Sequence, residues 1–194
     1  MTTTFILHGG ETRVENENNK KFYQSWVASF DDLYVPTILL VYFARKPEDD
    51  QKGYIQDTKR FKQYANNRKV NFIIADRDLE IFKQQVQDVD VIYFRGGSSN
   101  RAIEIMKPLK GDLLNILKDK IFVGVSAGVM FLSQYTRSNT SKYWKQGLGL
   151  FPWVSFVHWS EEFRDVLEDF KKEHVNENLE YILLPETEFI TKIL

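Results

Sequence analysis

Residues 121–130 read IFVGVSAGVM, an apolar run that carries the motif Gly-Val-Ser-Ala-Gly at residues 124–128. The β-branched and aromatic residues before Ser126 are typical of a buried strand, and the residues from Ala127 onward favour a helix. Ser126 is therefore predicted at the carboxyl end of a strand. Open α/β sheets bind their ligands at that edge, so Ser126 is the first candidate for a functional residue.

Other short apolar runs predict further strands, and their near-continuous hydrophobicity is typical of a parallel sheet covered on both faces. With the run that leads to Ser126, they cover residues 3–7, 37–44, 70–75, 89–94 and 120–125. Helix-like segments separate them, at residues 19–33, 47–67, 78–86 and 99–119, the last divided at Pro108. This alternation predicts a doubly wound, mostly parallel α/β sheet with helices on both faces, in one domain over residues 1–194.

After Ser126 the alternation of strand-like and helix-like segments is less regular. We expect a helix over residues 127–135, a loop over residues 136–152 and a strand over residues 153–159. A helix over residues 160–174 should begin at an N-cap, Ser160, with two glutamates near its positive end. The last segment, residues 180–194, predicts two short strands that separate at Pro185-Glu186.

Composition excludes several classes of function. The net charge is −1, from 26 basic and 27 acidic residues, so no overall field favours nucleic acid or an anionic membrane. Cysteine is absent, which excludes disulfides, thiolate catalysis and cysteine metal sites. The N-terminal MTTTFILHGG lacks the features of a signal peptide, and no apolar window is long enough to span a membrane. We expect a cytoplasmic protein that needs no cofactor and no metal ion.

Two glycine-containing motifs suggest acyl chemistry. Glycines on both sides of Ser126 allow a tight strand-to-helix turn that projects the hydroxyl into a cleft and leaves the Ala127 N–H for an oxyanion. Because the motif is short, it also occurs by chance. Gly96 and Gly97 follow the preceding strand and could supply a second N–H donor. As an alternative, GGSSNR at residues 96–101 could bind a phosphate at a helix N-terminus, although it lacks the lysine of a P-loop.

Three histidines, His8, His158 and His174, are the candidates for a base. His174 lies in a charged helix end and is set aside. His8 and His158 each fall at the end of an apolar run, where catalytic groups of α/β proteins gather. An unpaired imidazole in the apolar run WVSFVHW (residues 153–159) would be costly, which favours a role for His158.

Three motifs together resemble the serine peptidases typified by dipeptidase E and cyanophycinase. They are YFRGGSSNR at residues 93–101, GVSAGVMFL at residues 124–132 and GLGLFPWVSFVHW at residues 147–159. The resemblance implies an α/β fold like that of class I glutamine amidotransferases, related to flavodoxin, with serine in place of the nucleophilic cysteine. It also implies Ser126 as nucleophile, His158 as base, Gly97 and Ala127 as oxyanion donors, and Gly96 as a residue that shapes the turn.

The expected third member of the triad is a glutamate, because this sequence departs from the dipeptidase E pattern. Dipeptidase E is associated with an aspartate between serine and histidine, but residues 134–157 contain no acid here. Cyanophycinase-like members use a glutamate after a late strand, which matches Glu186 in YILLPETEFI. A carboxylate there could orient the imidazole, although a turn glutamate exposed to solvent is the alternative. Glu161 and Glu162 are better explained by the helix dipole.

The substrate is expected to be a small peptide. The resemblance implies aspartyl peptides as substrates, and an anionic side chain would need an arginine near the site. Arg101 and Arg164 are the candidates for substrate binding, with Arg95 beside the glycine pair. Two rival functions stay open, an inactive binding protein on the same fold and a flavodoxin-like module that binds phosphate or a nucleotide. A homodimer could form through an aromatic patch of Tyr143, Trp144 and Trp159.

Overall fold

The structure is a computed structural model that describes residues 2–66 and 68–194. The strands are β1 (Thr4–His8), β2 (Thr37–Val41), β3 (Asn71–Ile74), β4 (Val91–Phe94), β5 (Ile121–Val125), β6 (Ser133–Ser138), β7 (Lys145–Gln146), β8 (Phe151–Trp159), β9 (Glu180–Pro185) and β10 (Phe189–Ile193). The helices are α1 (Glu17–Ser25), α2 (Asp50–Tyr64), α3 (Leu79–Gln87), α4 (Ser99–Met106), α5 (Leu113–Ile116), α6 (Ala127–Met130) and α7 (Arg164–Glu173).

The main sheet confirms the predicted doubly wound α/β fold. It has six strands in the order β10-β1-β5-β4-β2-β3, and β10 alone runs antiparallel to its neighbour. Strands β1, β4 and β5 are almost wholly buried, as their continuous apolar sequences require. The carboxyl ends of these three strands therefore meet at the middle of one sheet edge.

Helices cover both faces of this sheet. On one face, α1 and α2 bury the aromatic residues Phe22, Trp26 and Phe61 against β2, β4 and β5. On the other face lie α3 to α6 and part of a second sheet, which contacts β1 through Trp153. Helix α7 covers the far side of that second sheet, where Leu167 packs with Phe156 and Trp159.

The second sheet was not predicted from the sequence. It has the strand order β7-β6-β8-β9. The predicted helix over residues 127–135 is wrong beyond Met130, and the predicted loop over residues 136–152 contains the end of β6 and all of β7. The cause is a buried polar cluster: the hydroxyls of Ser133 and Thr136 each lie 2.8 Å from that of Ser155 on β8. Because these serines and threonines satisfy one another, β6 is buried without an apolar signature.

Element ends differ from the predictions in smaller ways. Helix α1 ends at Ser25, eight residues before the predicted end at residue 33, and the predicted end of α2 at residue 67 lies outside the described residues. A 3-10 turn over Lys107–Leu109 separates α4 from α5, which confirms the division at Pro108. Ser160 does not cap a helix N–H, because its hydroxyl donates to the carboxylate of Glu162.

The expected aromatic patch does not form as one surface. Trp159 is 8% exposed, and Trp144 packs on Phe156 and Phe170. Tyr143 is the one member of the three that is largely exposed. Within residues 2–66 and 68–194, no helix has both the length and the apolar character that crossing a membrane requires.

Candidate active site

Ser126 stands at the sharp turn between β5 and α6. Its backbone has φ +47° and ψ −100°, a conformation that costs free energy for any residue other than glycine and is typical of functional sites. Its N–H donates to the carbonyl of His8 on β1 over 2.9 Å. Gly128 permits the turn because a Cβ atom there would lie 2.7 Å from the carbonyl oxygen of Phe94. The strand-to-helix elbow predicted from the sequence is present.

His158 reaches the serine from the second sheet. Its Nε2 atom lies 3.0 Å from Oγ of Ser126. The residue has φ +55° and falls where the pairing of β8 with β9 shifts register, between Val157 and Trp159. Such a bulge re-aims a side chain relative to its strand. The imidazole is thus turned to the serine while its strand stays in the sheet.

Glu186 completes a hydrogen-bonded chain. Its Oε1 atom lies 2.6 Å from Nδ1 of His158, in the turn between β9 and β10. A carboxylate can only accept, so in the neutral imidazole the proton sits on Nδ1 and Nε2 is free to accept from the hydroxyl of Ser126. The structure brings Ser126, His158 and Glu186 together in the order that the sequence predicted.

Gly10 is a site residue that the sequence analysis missed. It belongs to the first glycine turn (Gly9–Gly10), directly after β1. A Cβ atom on Gly10 would lie 2.0 Å from Cε1 of His158 and 2.8 Å from Oε2 of Glu186. Its carbonyl also accepts a 3.1 Å hydrogen bond from the N–H of Thr187, which follows Glu186. The only signal in the sequence was a glycine pair at the end of a strand.

His8, the other candidate base, is engaged elsewhere. It is wholly buried, its Nδ1 accepts from the N–H of Gly10 over 3.1 Å, and its Nε2 lies 2.9 Å from Oδ1 of Asn19. Burial lowers the pKa of His8 to about 4, although the hydrogen bond that Nε2 donates to Asn19 opposes this shift. His8 is therefore a neutral imidazole that braces the first glycine turn. His174 stacks on Phe170 at the end of α7, as a structural residue would.

The second glycine turn (Gly96–Gly97) lies beside the serine, because β4 and β5 are neighbours with Phe94 opposite Gly124. A Cβ atom on Gly97 would lie 2.4 Å from the carbonyl oxygen of Ala44, so no larger residue fits. The Gly97 N–H has no acceptor in the described part of the chain. Ala127 begins α6, so its N–H has no acceptor within the helix either. Both N–H groups suit the predicted role of oxyanion donor.

Two cavities meet at Ser126 and His158. The first, of about 420 Å³, we call the arginine cavity; among the side chains that line it are Arg13, Arg45, Lys52 and Arg95. The second, of about 450 Å³, we call the hydroxyl cavity; it is lined by polar residues that include Ser98, Ser99, Ser138 and Thr140. Ser126 and His158 line both cavities, and so does Gly97. Ser126 is therefore accessible from both cavities.

The predicted substrate arginines lie elsewhere. Arg164 forms an ion pair with Glu161 on the helix surface, and neither Arg164 nor Arg101 lines either cavity. Their role in substrate binding stays a prediction that no contact supports. Arg95 does line the arginine cavity, and its guanidinium donates to Asp57 over 3.0 Å. Arg45, which the sequence analysis did not consider, lines the same cavity.

Clusters of possible metal ligands were sought among the described residues. Within residues 2–66 and 68–194, no group of three or more histidine, aspartate or glutamate side chains is placed to hold a metal ion.

Comparison with known proteins identifies a family and a fold. The model of peptidase family S51 matches residues 5–192. The chain is similar to the crystal structure of a peptidase from an acI-B1 actinobacterium, with a TM-score of 0.64 and 20% identity over 99% of this chain and 84% of that one. It is also similar to a putative peptidase E protein from Listeria monocytogenes EGD-e, with a TM-score of 0.60 and 17% identity over the full length of both. No curated protein matches.

At these identities the two structures speak for the fold alone, and they confirm the α/β architecture of the peptidase E type. The family match covers nearly the whole chain, including the elbow at Ser126 and the segments that carry His158 and Glu186. The chain belongs to peptidase family S51, and with it to the serine peptidases that the motifs had indicated.

Proposed function

We propose that this peptidase hydrolyses a small peptide through a triad of Ser126, His158 and Glu186, with an acyl-enzyme intermediate. The observation that carries the proposal is the unbroken chain of short contacts, 3.0 Å from Oγ of Ser126 to Nε2 of His158 and 2.6 Å from Nδ1 to Glu186. Nucleophile, base and orienting acid stand in the relation that serine catalysis needs.

The first half of the reaction acylates the serine. Nε2 of His158 takes the hydroxyl proton as Oγ of Ser126 bonds to the peptide carbonyl carbon, and the carbonyl π electrons move to its oxygen. The tetrahedral intermediate then collapses, the carbon–nitrogen bond breaks, and Nε2 gives its proton to the leaving amine. Glu186 stabilises the imidazolium that exists between these steps, because its carboxylate contacts Nδ1.

The second half releases the acyl group. Water gives a proton to Nε2 of His158 while its oxygen bonds to the acyl carbon, and collapse returns the proton to Oγ of Ser126. In both halves the negatively charged oxygen of the tetrahedral intermediate needs hydrogen-bond donors. The N–H groups of Gly97 and Ala127 are proposed to supply them, a contribution of about 3–4 kcal/mol per donor in other serine hydrolases.

The sizes of the two cavities favour a short substrate, and we propose dipeptides as the substrates. Each is of a size that holds one or two amino-acid residues, and Ser126 lines both. A scissile bond at Oγ would place one side of the peptide in the arginine cavity and the other in the hydroxyl cavity. The arginine cavity is lined by four cations and by the two carboxylates Glu11 and Asp49. This excess of positive charge would suit a carboxylate of the substrate, whether from a side chain or from a chain terminus.

A test uses p-nitrophenyl acetate and a library of dipeptides with free termini. We expect a stoichiometric burst of p-nitrophenol, an acetyl group on Ser126 found by mass spectrometry, and hydrolysis of some dipeptides. Ser126→Ala should show neither burst nor hydrolysis. A folded wild-type protein without a burst and without dipeptide hydrolysis would contradict the proposal and favour a binding protein. Thermal stabilisation of that inactive protein by phosphate or nucleotides would favour the phosphate-binding alternative.

A further inference from the structure

Arg45 touches the peptide unit that carries the proposed oxyanion donor. Its Nε–H donates to the carbonyl oxygen of Gly96 over 2.7 Å. That carbonyl and the N–H of Gly97 belong to one trans peptide, in which the two groups point in opposite directions. We propose that Arg45 is a positioning residue, which aims the Gly97 N–H at the oxyanion by holding the other end of its peptide. This inference rests on the proposed function of Ser126.

The second glycine turn needs such a restraint. Two successive glycines let a peptide rotate at little cost, because neither side chain blocks the alternative backbone angles. Glycine is nevertheless required, since a Cβ atom on Gly97 would overlap the carbonyl of Ala44. Rotation of the peptide would turn the Gly96 carbonyl, rather than the N–H, towards the serine. No bond but that of Arg45 reaches the Gly96 oxygen from the described residues.

Arg45 is itself held at its backbone. Its N–H donates to the carbonyl of Tyr42 over 2.7 Å and closes the turn after β2. The guanidinium of Arg77 donates to the carbonyls of both Tyr42 and Arg45, each over 3.2 Å, and is fixed by the carboxylate of Asp50 at 2.7 and 3.0 Å. The turn that carries Arg45 is thus anchored by Arg77, and its Ala44 carbonyl also accepts from the N–H of Ser98, just after the second glycine turn, over 2.9 Å.

The positive charge of Arg45 should strengthen the Gly97 N–H as a donor, in addition to orienting it. A guanidinium next to a carbonyl polarises the whole peptide, which makes the N–H at the opposite end a stronger donor. Arg95, the neighbouring cation, does not play this part, because it donates to Asp57 over 3.0 Å and to Gln56 over 2.8 Å. Asp57 is 1% exposed, so the charge of Arg95 is matched by a buried carboxylate. Arg45 is the cation that meets the main chain of the turn.

The test measures inactivation by diisopropyl fluorophosphate, a neutral probe without peptide groups, so that loss of substrate binding by Arg45 does not enter. Arg45→Met keeps the side-chain stem and removes the charge and the donor. Its second-order inactivation rate should fall about tenfold to a hundredfold, less than the loss of a whole oxyanion donor. Added ethylguanidinium should restore part of the rate. The midpoint of the pH profile should not move, because His158 is untouched.

Lys46→Met is the matched control. Lys46 is the next cation of the same loop, but its side chain is 64% exposed and points to Glu48. We expect it to react at the wild-type rate. An Arg45→Met protein that reacts at the wild-type rate would overturn the inference. A shifted pH midpoint with an unchanged plateau would also overturn it, because Arg45 would then act only as a charge near His158.

Two further results keep the outcomes distinct. If wild type itself does not react at Ser126, the proposed function fails, whereas equal reaction of wild type and Arg45→Met removes only the role of Arg45. If Arg45→Met does not fold, Arg45→Lys is measured in its place. It should lose rate severalfold, since an ammonium group does not reproduce the planar donor geometry, and a wild-type rate would overturn the inference.

Discussion

The two glycine turns flank the serine and serve it in different ways. Gly9–Gly10 follows β1 and Gly96–Gly97 follows β4, the two strands on either side of β5. In the first turn, glycine makes room for side chains, because Gly10 lies against His158 and Glu186. In the second, it makes room for the backbone, because Gly97 lies against Ala44 and leaves an N–H free. The same dipeptide thus supports the proposed triad in one place and the proposed oxyanion site in the other.

The two turns also differ in what holds them. The first is braced from within, by the buried neutral ring of His8 and by backbone bonds to the turn that carries Glu186. The second is held by the N–H of Ser98, which donates to the carbonyl of Ala44 over 2.9 Å, and in our proposal by the exposed cation Arg45 on its cavity side. A buried brace resists salt and mutation at the surface, whereas a charged one depends on a single long side chain. Substitutions in the two turns should therefore differ in their effects on rate, on pH dependence and on stability.

The largest effect is expected from Gly10→Ala. The added methyl would lie 2.0 Å from Cε1 of His158, so the imidazole must move. A displacement of about 1 Å at a reacting group costs on the order of a hundredfold or more in rate, and we expect a loss of 10²- to 10³-fold in kcat/KM. Gly111→Ala is the control, because a Cβ atom there meets nothing within 4 Å. Near-normal kcat/KM in Gly10→Ala would show that the ring position is not critical.

Gly97→Ala should have a smaller effect of a different kind. The methyl would lie 2.4 Å from the carbonyl of Ala44 and push the N–H out of place. Loss of one oxyanion donor costs about 10²-fold in kcat, and the pH profile should keep its midpoint because His158 and Glu186 are not moved. Steady-state kinetics over a range of pH values, on a dipeptide selected from the library, distinguishes this variant from Gly10→Ala. If both variants showed the same shifted midpoint, the two glycine turns would not have the different roles assigned to them here.

His8 makes the first turn sensitive to acid. Burial lowers its pKa from 6.5 to about 4, so the unfolded chain takes up a proton at a higher pH than the folded one. The stabilisation is complete above pH 6.5 and is lost as the pH falls towards 4. Denaturant unfolding at about pH 7 and pH 5 should show that wild type loses about 2 kcal/mol more than His8→Gln. An equal loss in both proteins would exclude His8 as the titrating group.

The smallest effect is expected at the surface of the first turn. Asn18 donates from Nδ2 to the carboxylate of Glu188 over 2.7 Å, at an exposed position. Because the backbone bonds Gly9 to Glu188 and Thr187 to Gly10 stay intact, Asn18→Ala should change the free energy of unfolding by no more than about 1 kcal/mol. Thermal unfolding checks this, with activity at the wild-type level. A large loss of activity would show that side-chain contacts, rather than backbone hydrogen bonds, hold the first glycine turn in place.

A structural feature could be predicted from the sequence when residues close together in the chain determine it. The strands around Ser126 are continuous apolar runs, so the fold and the elbow were predictable from periodicity. His158 and Glu186 followed from the resemblance to a family, since they lie 32 and 60 residues from the serine in the chain. Strand β6 was missed because Ser133, Thr136 and Ser155 satisfy one another, an arrangement that exists only once the strands pair.

The roles of Gly10 and Arg45 were beyond sequence analysis for the same reason. Gly10 gains its role from a contact with a histidine 148 residues away in the chain, and Arg45 from one with a carbonyl 51 residues away. Arg164 was chosen for its nearness to His158 in sequence. It sits instead on a helix face, where a glutamate three residues earlier holds it, a local pairing that the spacing already allowed.

The most direct test of the account is covalent labelling with a fluorophosphonate, followed by mass spectrometry to locate the adduct. Wild type should be labelled on Ser126, His158→Ala should not be labelled, and Glu186→Gln should be labelled more slowly, with Ser126→Ala as the blank. Labelling that needs both the imidazole and the carboxylate would establish the triad. A folded wild-type protein without an adduct on Ser126, or one labelled equally fast without His158, would contradict it.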